Sequence, residues 1–247
     1  MTSARTKPLQ VCITVDLEPD CPPYLWTWRG LTEGAPRLLD LFAREGIAAT
    51  YFVTGDTADR HPHAVQALLA AGHELACHGM THESFGRLGR EKARWEINES
   101  ARRLRSFAPV TAFRAPYLTF PDAYLDLLEE AGFALDCSQA KYKRSYYRPA
   151  APTRLLRIPA SMTSSVLRLP SWLRDPWLLA LRSPVVLFVH PWEFVDLTRE
   201  RLRLDCRFRT GLPALRDLGA VIRLFKARGA QFLTMNALGA RMREALA

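Results

Sequence analysis

Short apolar, β-branched runs alternate with helical stretches along most of the chain. The run 11–15 is the first predicted strand, a helical pattern over 35–44 stops at Gly46, and a second strand over 48–53 ends near Gly55. Further strands are predicted at 74–77, just before Arg114, and at 133–135, 155–158, 185–189 and 231–233, with helices at 63–71, 90–107, 121–131 and 213–227. Because strands that alternate with helices form parallel sheets through crossover connections, we expect a distorted (β/α) barrel of about seven parallel strands.

The chain is long enough to bury a large core within one domain, since 48% of its 247 residues are hydrophobic. No internal repeat, low-complexity tract or linker interrupts it. We therefore expect a single domain over residues 1–247. The least regular segment, 138–184, is expected to form long loops over the barrel mouth.

Apolar segments that direct a chain into or across a membrane are missing from the sequence. No stretch of 18 apolar residues occurs, and residues 1–10 have no apolar run behind Arg5 and Lys7. We therefore expect a cytoplasmic protein. The five cysteines form no C-x-x-C pair, which argues against both a disulfide framework and a cysteine zinc site.

The formal charge of +9 favours an acidic partner, which could be nucleic acid, an anionic membrane surface or a phosphorylated substrate. Many arginines occupy scattered helix positions and no groove-reading motif is present, so nucleic acid is not the expected partner. The segment 166–177 combines leucines, arginines and two tryptophans. It either packs over the barrel mouth or contacts an anionic bilayer, and the second interpretation gives the hypothesis of a glycolipid or polyprenyl-phosphate-linked substrate.

Two clusters of potential metal ligands follow predicted strands. Residues 16–20 read Asp-Leu-Glu-Pro-Asp, and an extended segment would point Asp16, Glu18 and Asp20 toward one side. His78 and His82 are four residues apart, a spacing that suits two ligands of one metal ion. Taken alone, the first cluster also fits an acidic loop and the second a chance pair of histidines.

Other polar side chains share this placement at strand ends. Arg114, followed by Pro116 and Tyr117, comes directly after a predicted strand, and Asp136 and His190 occupy the same position on later strands. The C-terminal strand ends of a (β/α) barrel meet on one face, which is where active sites of this architecture lie. We therefore expect all five clusters to converge on one site.

Five motifs in order resemble those of the polysaccharide deacetylases with a NodB homology domain, also called carbohydrate esterase family four. They are VDLEPD (15–20), GHELACHGMTHESF (72–85), FRAPY (113–117), GFALDCS (132–138) and LFVHPWEF (187–194). The D-x-E and HPWEF forms look closest to a cytoplasmic bacterial branch associated with glycan or exopolysaccharide biosynthesis. The resemblance implies a hydrolase that removes an N-acyl group, usually N-acetyl, from an amino sugar that is free, nucleotide-linked or lipid-linked.

The resemblance also implies one divalent metal ion, with Zn²⁺ expected and Co²⁺, Ni²⁺ or Mn²⁺ as alternatives. The two imidazoles of the histidine pair and one carboxylate would bind it. The commonest family pattern has two adjacent aspartates, whereas this chain has Leu17 beside Asp16. The carboxylate ligand is therefore expected to be Glu18, with Asp20 as the alternative metal or substrate contact.

The same resemblance implies chemical roles for the remaining motif residues. Asp16 would be the general base that deprotonates water, oriented by Arg114, and Asp136 would hold Arg114 in turn. The backbone N–H of Tyr117 would stabilise the charge that develops on the carbonyl oxygen.

Release of the amine requires a proton donor, and the resemblance implies His190 for that role. A histidine is suited to it because its ordinary pKa lies near neutrality. Pro116 and Trp192 are expected to contact the substrate.

Two other functions stay open at this point. A deformylase, or an amidase that opens cyclic ureides, could use the same metal-activated water on a related fold. A non-catalytic carbohydrate-binding protein would have lost metal or acid residues, yet all of them are present in this sequence.

Overall fold

The computed structural model describes residues 8–25 and 27–245. Its strands are β1 (Gln10–Leu17), β2 (Thr50–Val53), β3 (Glu74–Cys77), β4 (Ala112–Phe113), β5 (Leu135–Asp136), β6 (Leu156–Arg157), β7 (Val185–Val189) and β8 (Gln231–Phe232). Seven of them form a curled sheet in the order β6-β5-β4-β3-β2-β1-β7, and β8 pairs with the beginning of β1. All of these pairings are parallel. The predicted α/β fold with about seven parallel strands is confirmed.

Helices connect the strands and cover the outside of the sheet. They are α1 (Ala35–Arg44), α2 (Gly55–Arg60), α3 (Pro62–Ala70), α4 (Arg90–Arg105), α5 (Leu125–Glu130), α6 (Ser164–Leu167), α7 (Ser171–Leu179), α8 (Leu204–Arg207), α9 (Leu212–Ala227) and α10 (Met235–Glu244). Two short 3₁₀ segments, Pro116–Leu118 and Pro191–Phe194, follow β4 and β7. These two segments belong to the site described below.

Segment 138–184 is more regular than the long loops expected for it. It contains β6, α6 and α7, and an isolated bridge between Met162 and Leu187 joins its middle to β7. That bridge spans the gap between the two ends of the curled sheet. The backbone groups of this segment are therefore partly paired with the sheet, as buried backbone requires.

Alternation along β1 determines which residues reach the barrel interior. Val11, Ile13 and Val15 are fully buried in the larger core cluster between the sheet and the helices. Cys12 belongs to a separate cluster that includes Met235 of α10. Because successive side chains of a strand point to opposite faces, the alternate positions 14 and 16 follow Cys12 on the inner face.

Among the described residues, no helix combines the length and apolar character needed to cross a bilayer. Residues 1–7, on which the expectation of a cytoplasmic protein partly depends, lie outside the described part of the chain. The five cysteines are free thiols, and all except Cys206 are buried.

Candidate active site

The strand register brings the predicted site residues to one edge of the sheet. Leu17 is paired with Val53, Val53 with Cys77, and Cys77 with Phe113, so the four strands end at the same level. The residues that directly follow three of these partners are Glu18, His78 and Arg114. Side chains from distant parts of the sequence therefore meet because parallel strands end together.

Three buried side chains form a group whose ligand atoms all lie within 4.8 Å of one another: Glu18, His78 and His82. The Glu18 Oε2 atom is 2.6 Å from Nε2 of His82 and 3.2 Å from Nε2 of His78. The Nδ1 of His78 donates to the Arg114 carbonyl oxygen at 2.7 Å. Because that carbonyl can only accept, Nδ1 carries a proton, and Nε2 is the nitrogen that faces the Glu18 carboxylate.

The loop between the two histidines is held by a buried carboxylate on α4. Glu96 Oε2 accepts hydrogen bonds from the backbone N–H groups of Met80 and Thr81 at 2.8 and 3.0 Å. Gly79 has a φ of +78°, a conformation that favours glycine, and His82 has a φ of 64°. The turn that directs both imidazoles inward is therefore stabilised by Glu96 rather than by the sequence spacing alone.

Asp20 is buried but takes no part in this ligand group. Its oxygens accept hydrogen bonds from Thr27 Oγ1 at 2.6 Å and from the backbone N–H groups of Arg29 and Gly30 at 2.7 and 2.8 Å. Both oxygens are thus used to fix the turn that follows β1. The alternative in which Asp20 is the metal carboxylate is not supported, because only Glu18 shares a centre with the imidazoles.

The Glu18 carboxylate is held in its charged form despite full burial. Burial opposes ionisation, but the charges on His82 and His190 and the hydrogen bonds from the two imidazoles hold the pKa of Glu18 well below its ordinary value. An anionic oxygen beside two imidazole nitrogens is a donor set that suits a divalent cation.

Asp16 and Arg114 form a buried ion pair next to this group. The Arg114 Nη1 atom is 2.6 Å from Asp16 Oδ1 and 2.8 Å from Thr14 Oγ1. Its guanidinium also lies 4.0 Å from the centroid of the Phe52 ring. Arg114 therefore holds the Asp16 carboxylate in one orientation, as the sequence analysis expected.

Asp136 does not hold Arg114, contrary to the expectation from the sequence. Its Oδ2 accepts from Arg157 Nε at 2.8 Å, and its Oδ1 accepts from the Ser138 N–H at 2.9 Å. The register explains the difference. Asp136 is level with Phe113 on β4 and with Arg157 on β6, so the side chain of Arg114, one residue further along β4, points to the opposite face.

His190 faces the ligand group from β7. Its Nδ1 donates to Glu193 Oε1 at 2.8 Å, which leaves Nε2 pointing toward Asp16 Oδ2 and Glu18 Oε1, each 3.9 Å away. Burial alone would lower the pKa of His190, but the carboxylates of Glu18, Glu193 and Asp16 outweigh it and raise the pKa to about 9. The expectation of a pKa near neutrality is wrong, because three anionic groups surround the ring.

Glu193 follows His190 at a spacing where it could orient the acid, but its partner Arg168 was not among the predicted site residues. Both are buried, and Arg168 Nε lies 2.9 Å from Glu193 Oε2. Burial raises the pKa of Glu193, whereas Arg168 and His190 lower it below its ordinary value. The three-residue spacing of His190 and Glu193 was an available signal, since a 3₁₀ turn places such residues side by side.

A cavity of about 360 Å³ opens over these residues, a size typical of small-molecule sites. Tyr117 and Trp192 line it, with the Tyr117 ring centroid 4.8 Å from that of His82 and the Trp192 ring stacked 4.8 Å from His190. Pro116, which was expected to contact the substrate, is buried in the same 3₁₀ segment as Tyr117 and does not line the cavity. Further lining residues are Tyr24, Tyr142, Thr163, Phe188, Arg203, Asp205 and Cys206.

The chain is similar in sequence to known polysaccharide deacetylases. The family model for polysaccharide deacetylase matches residues 3–135. A chitooligosaccharide deacetylase of Sinorhizobium fredii is 35% identical over 102 residues, which is 40% of this chain and 47% of that protein. The chain thus spans about half the length of this curated relative.

Solved structures share the fold at low identity. A crystal structure described as a putative polysaccharide deacetylase from Mycobacterium smegmatis superposes with a TM-score of 0.73 at 20% identity, covering 99% of this chain and 93% of that one. A carbohydrate esterase family 4 pseudoenzyme from Bacillus anthracis gives a TM-score of 0.63 at 15% identity, covering 94% and 66%. Since one of these neighbours is described as a pseudoenzyme, the likeness concerns the fold, and activity depends on the residues of the site. By its matching family model, which covers more than half of the sequence, this chain belongs to the polysaccharide deacetylase family.

Proposed function

We propose that the protein is a metal-dependent N-deacetylase that acts on an N-acylated amino sugar. One observation carries the proposal: the Glu18, His78 and His82 group lies between an arginine-held carboxylate, Asp16, and a glutamate-held imidazole, His190. This pairing of a candidate base and a candidate acid around one cation site is what amide hydrolysis requires. A single catalytic domain would then contain all of these residues.

The metal-binding residues would be Glu18, His78 and His82, with Zn²⁺ as the expected ion and Co²⁺, Ni²⁺ or Mn²⁺ as alternatives. Their burial and their mixed nitrogen and oxygen donors fit such an ion. When bound, a divalent ion polarises the acyl carbonyl and lowers the pKa of water. Asp16 accepts the proton of the attacking water, and Arg114 keeps its carboxylate correctly oriented.

Breakdown of the tetrahedral centre requires a proton on the leaving nitrogen. His190 donates it from Nε2, because Nδ1 is already used in the bond to Glu193. The backbone N–H of Tyr117 is proposed to donate to the carbonyl oxygen as negative charge develops there. Asp136 contributes through Ser138, whose Oγ accepts from the Ala115 N–H and so positions the segment before Tyr117.

Trp192 is proposed to bind the sugar. Its Nε1 is buried and has no acceptor within residues 8–25 and 27–245, although the ring lines the cavity. A sugar hydroxyl could accept that hydrogen bond, since a buried donor without a partner is unfavourable. The curated relative named a chitooligosaccharide deacetylase suggests N-acetylglucosamine oligomers as first substrates.

The proposal is tested by measuring acetate release from a panel of N-acetylated amino sugars and chitooligosaccharides, with the purified protein loaded with Zn²⁺. The panel includes an N-formyl sugar and a cyclic ureide, which represent the competing hydrolases. We expect acetate release from one or more of the N-acetyl sugars. Turnover of the formyl or ureide compound alone, or of no compound by metal-loaded protein, would contradict the proposed function.

Replacing Glu193 by glutamine should shift the pH dependence of the reaction. The variant keeps an oxygen that can accept from His190 Nδ1 but loses the charge that helps to raise the pKa of His190. With a lower pKa, the imidazole loses its proton at lower pH, so the alkaline limb of the kcat/KM profile should move to lower pH. Profiles of the wild type, Glu193→Gln and the surface control Glu91→Gln measure this shift. An alkaline limb identical in all three proteins would exclude the positioning role of Glu193.

A further inference from the structure

Helix α7 turns its apolar side toward solvent. It buries only Arg174 and Leu178, which are four residues apart and therefore share one face. Around the rest of the helix, Trp172 and Trp177 are 77% and 56% exposed, and Leu173 is 38% exposed. This is the reverse of a surface helix that packs on a protein core.

Polar contacts hold α7 in this orientation. The buried Arg174 pairs with Asp175 at 2.8 Å and donates to the carbonyl oxygens of Leu167 and Asp217 at 3.3 and 3.4 Å. Arg228, directly after α9, donates to the carbonyl oxygen of Leu178. The helix is therefore anchored along its inner face, and its outward tryptophans are a fixed feature of the surface.

A second group of exposed apolar side chains lies on and after α8, beside the mouth of the active-site cavity. Arg168, just before α7, donates to the carbonyl oxygens of Asp205 and Phe208, and so ties this region to α8. Leu204 of α8 is 68% exposed and the following Phe208 is 36% exposed. Arg203 and Asp205, next to Leu204 on either side, line the cavity.

The charge around this surface is basic. Segment 199–209 contains five arginines and only two carboxylates, in a chain whose formal charge is +9. Exposed arginines also lie at positions 182 and 216, after α7 and on α9. Exposed tryptophans and leucines surrounded by arginines are the combination that binds the interface of an anionic bilayer.

We propose that α7 and α8 form a surface that docks onto an anionic lipid bilayer, with the cavity mouth beside the contact. The aromatic and aliphatic side chains enter the interfacial zone, and the arginines pair with lipid phosphates. This surface is separate from the proposed catalytic residues. Membrane binding can therefore be tested independently of hydrolysis.

The test is co-sedimentation of the 247-residue chain with vesicles of phosphatidylglycerol and phosphatidylethanolamine, and with vesicles of phosphatidylcholine alone. The test variant is Trp172→Ser/Trp177→Ser. The matched control is Trp95→Ser, which changes a 45% exposed tryptophan on α4. All three proteins are first compared for thermal unfolding and for hydrolysis of a soluble N-acetyl sugar, so that a folding or catalytic defect is recognised separately.

We expect the wild type and Trp95→Ser to sediment with the anionic vesicles at low salt, and less so as salt screens the arginines. The affinity of the double variant for these vesicles should be lower by at least about tenfold, because it lacks the two largest interfacial side chains. Equal binding by the double variant, or no binding by the wild type at low salt, would overturn the proposal. A wild-type dimer that dissociates in the double variant would also overturn it, because the surface would then belong to a second copy of the chain.

Discussion

Replacing His78 by alanine should abolish both metal retention and acetate release. His78 supplies one of three candidate ligand atoms, and its Nε2 lies 3.2 Å from the Glu18 carboxylate that completes the group. Loss of a residue that only hydrogen-bonds to a metal ligand lowers metal affinity by roughly 10–100-fold. Loss of the ligand itself should lower it further. Metal content after dialysis, measured by plasma mass spectrometry, and acetate release are the two readouts.

The matched control for this variant is His63→Ala, which removes an exposed histidine on α3. It should retain metal and activity at wild-type levels. A His78→Ala protein that binds one metal ion per chain and hydrolyses substrate normally would exclude His78 as a ligand. Thermal unfolding of both variants shows whether a loss reflects the site or the fold.

Replacing Asp16 by asparagine should separate catalysis from metal binding. Asp16 lies outside the ligand group, and an asparagine oxygen can still accept from Arg114 Nη1, which is 2.6 Å from Oδ1 in the wild type. The variant should therefore fold and bind metal. It cannot take a proton from water as a carboxylate does, so kcat should fall by about 10²–10⁴-fold.

The surface variant Asp40→Asn, on the exposed side of α1, is the control for the charge change itself. It should behave like the wild type in both assays. If Asp16→Asn instead loses its metal, Asp16 acts as a ligand. If it keeps full turnover, another group is the base.

A site residue could be predicted from the sequence where the local chain alone determines the position of its side chain. His78 and Arg114 directly follow buried strands. Because these parallel strands end at the same level, the positions of the residues that follow them are fixed. Arg114 can pair with Asp16 because both lie at the edge of the sheet where the parallel strands end. These features needed only the strand pattern and the motif order.

The choice between Glu18 and Asp20 could not be made from the sequence. Both lie on alternate positions of what reads as one extended segment, but the strand ends at Leu17 and the chain turns. Asp20 then accepts three hydrogen bonds from residues 27–30, a contact that no local pattern reveals. The expected contact between Asp136 and Arg114 was wrong for a related reason, since Asp136 is level with Phe113 and Arg114 is one residue further along the chain.

Helix α7 was not predicted because its hydrophobic pattern is the reverse of that of an ordinary surface helix. Its exposed positions are apolar, its most buried polar residue is the arginine Arg174, and Pro176 lies inside the helix. Each of these features argues against a core-facing helix. Helix α10 was not predicted either, although Thr234, whose side chain accepts from the Ala237 N–H at its beginning, was an available signal.

We propose that one divalent cation is bound where Glu18, His78 and His82 meet. Anomalous X-ray scattering at the zinc edge, from crystals of the zinc-loaded protein, locates the ion without reference to activity. We expect one strong peak in contact with the Glu18 carboxylate and with Nε2 of each histidine. A fully occupied zinc bound by Asp20 or by cysteines, with the Glu18 group empty in the same crystal, would contradict it.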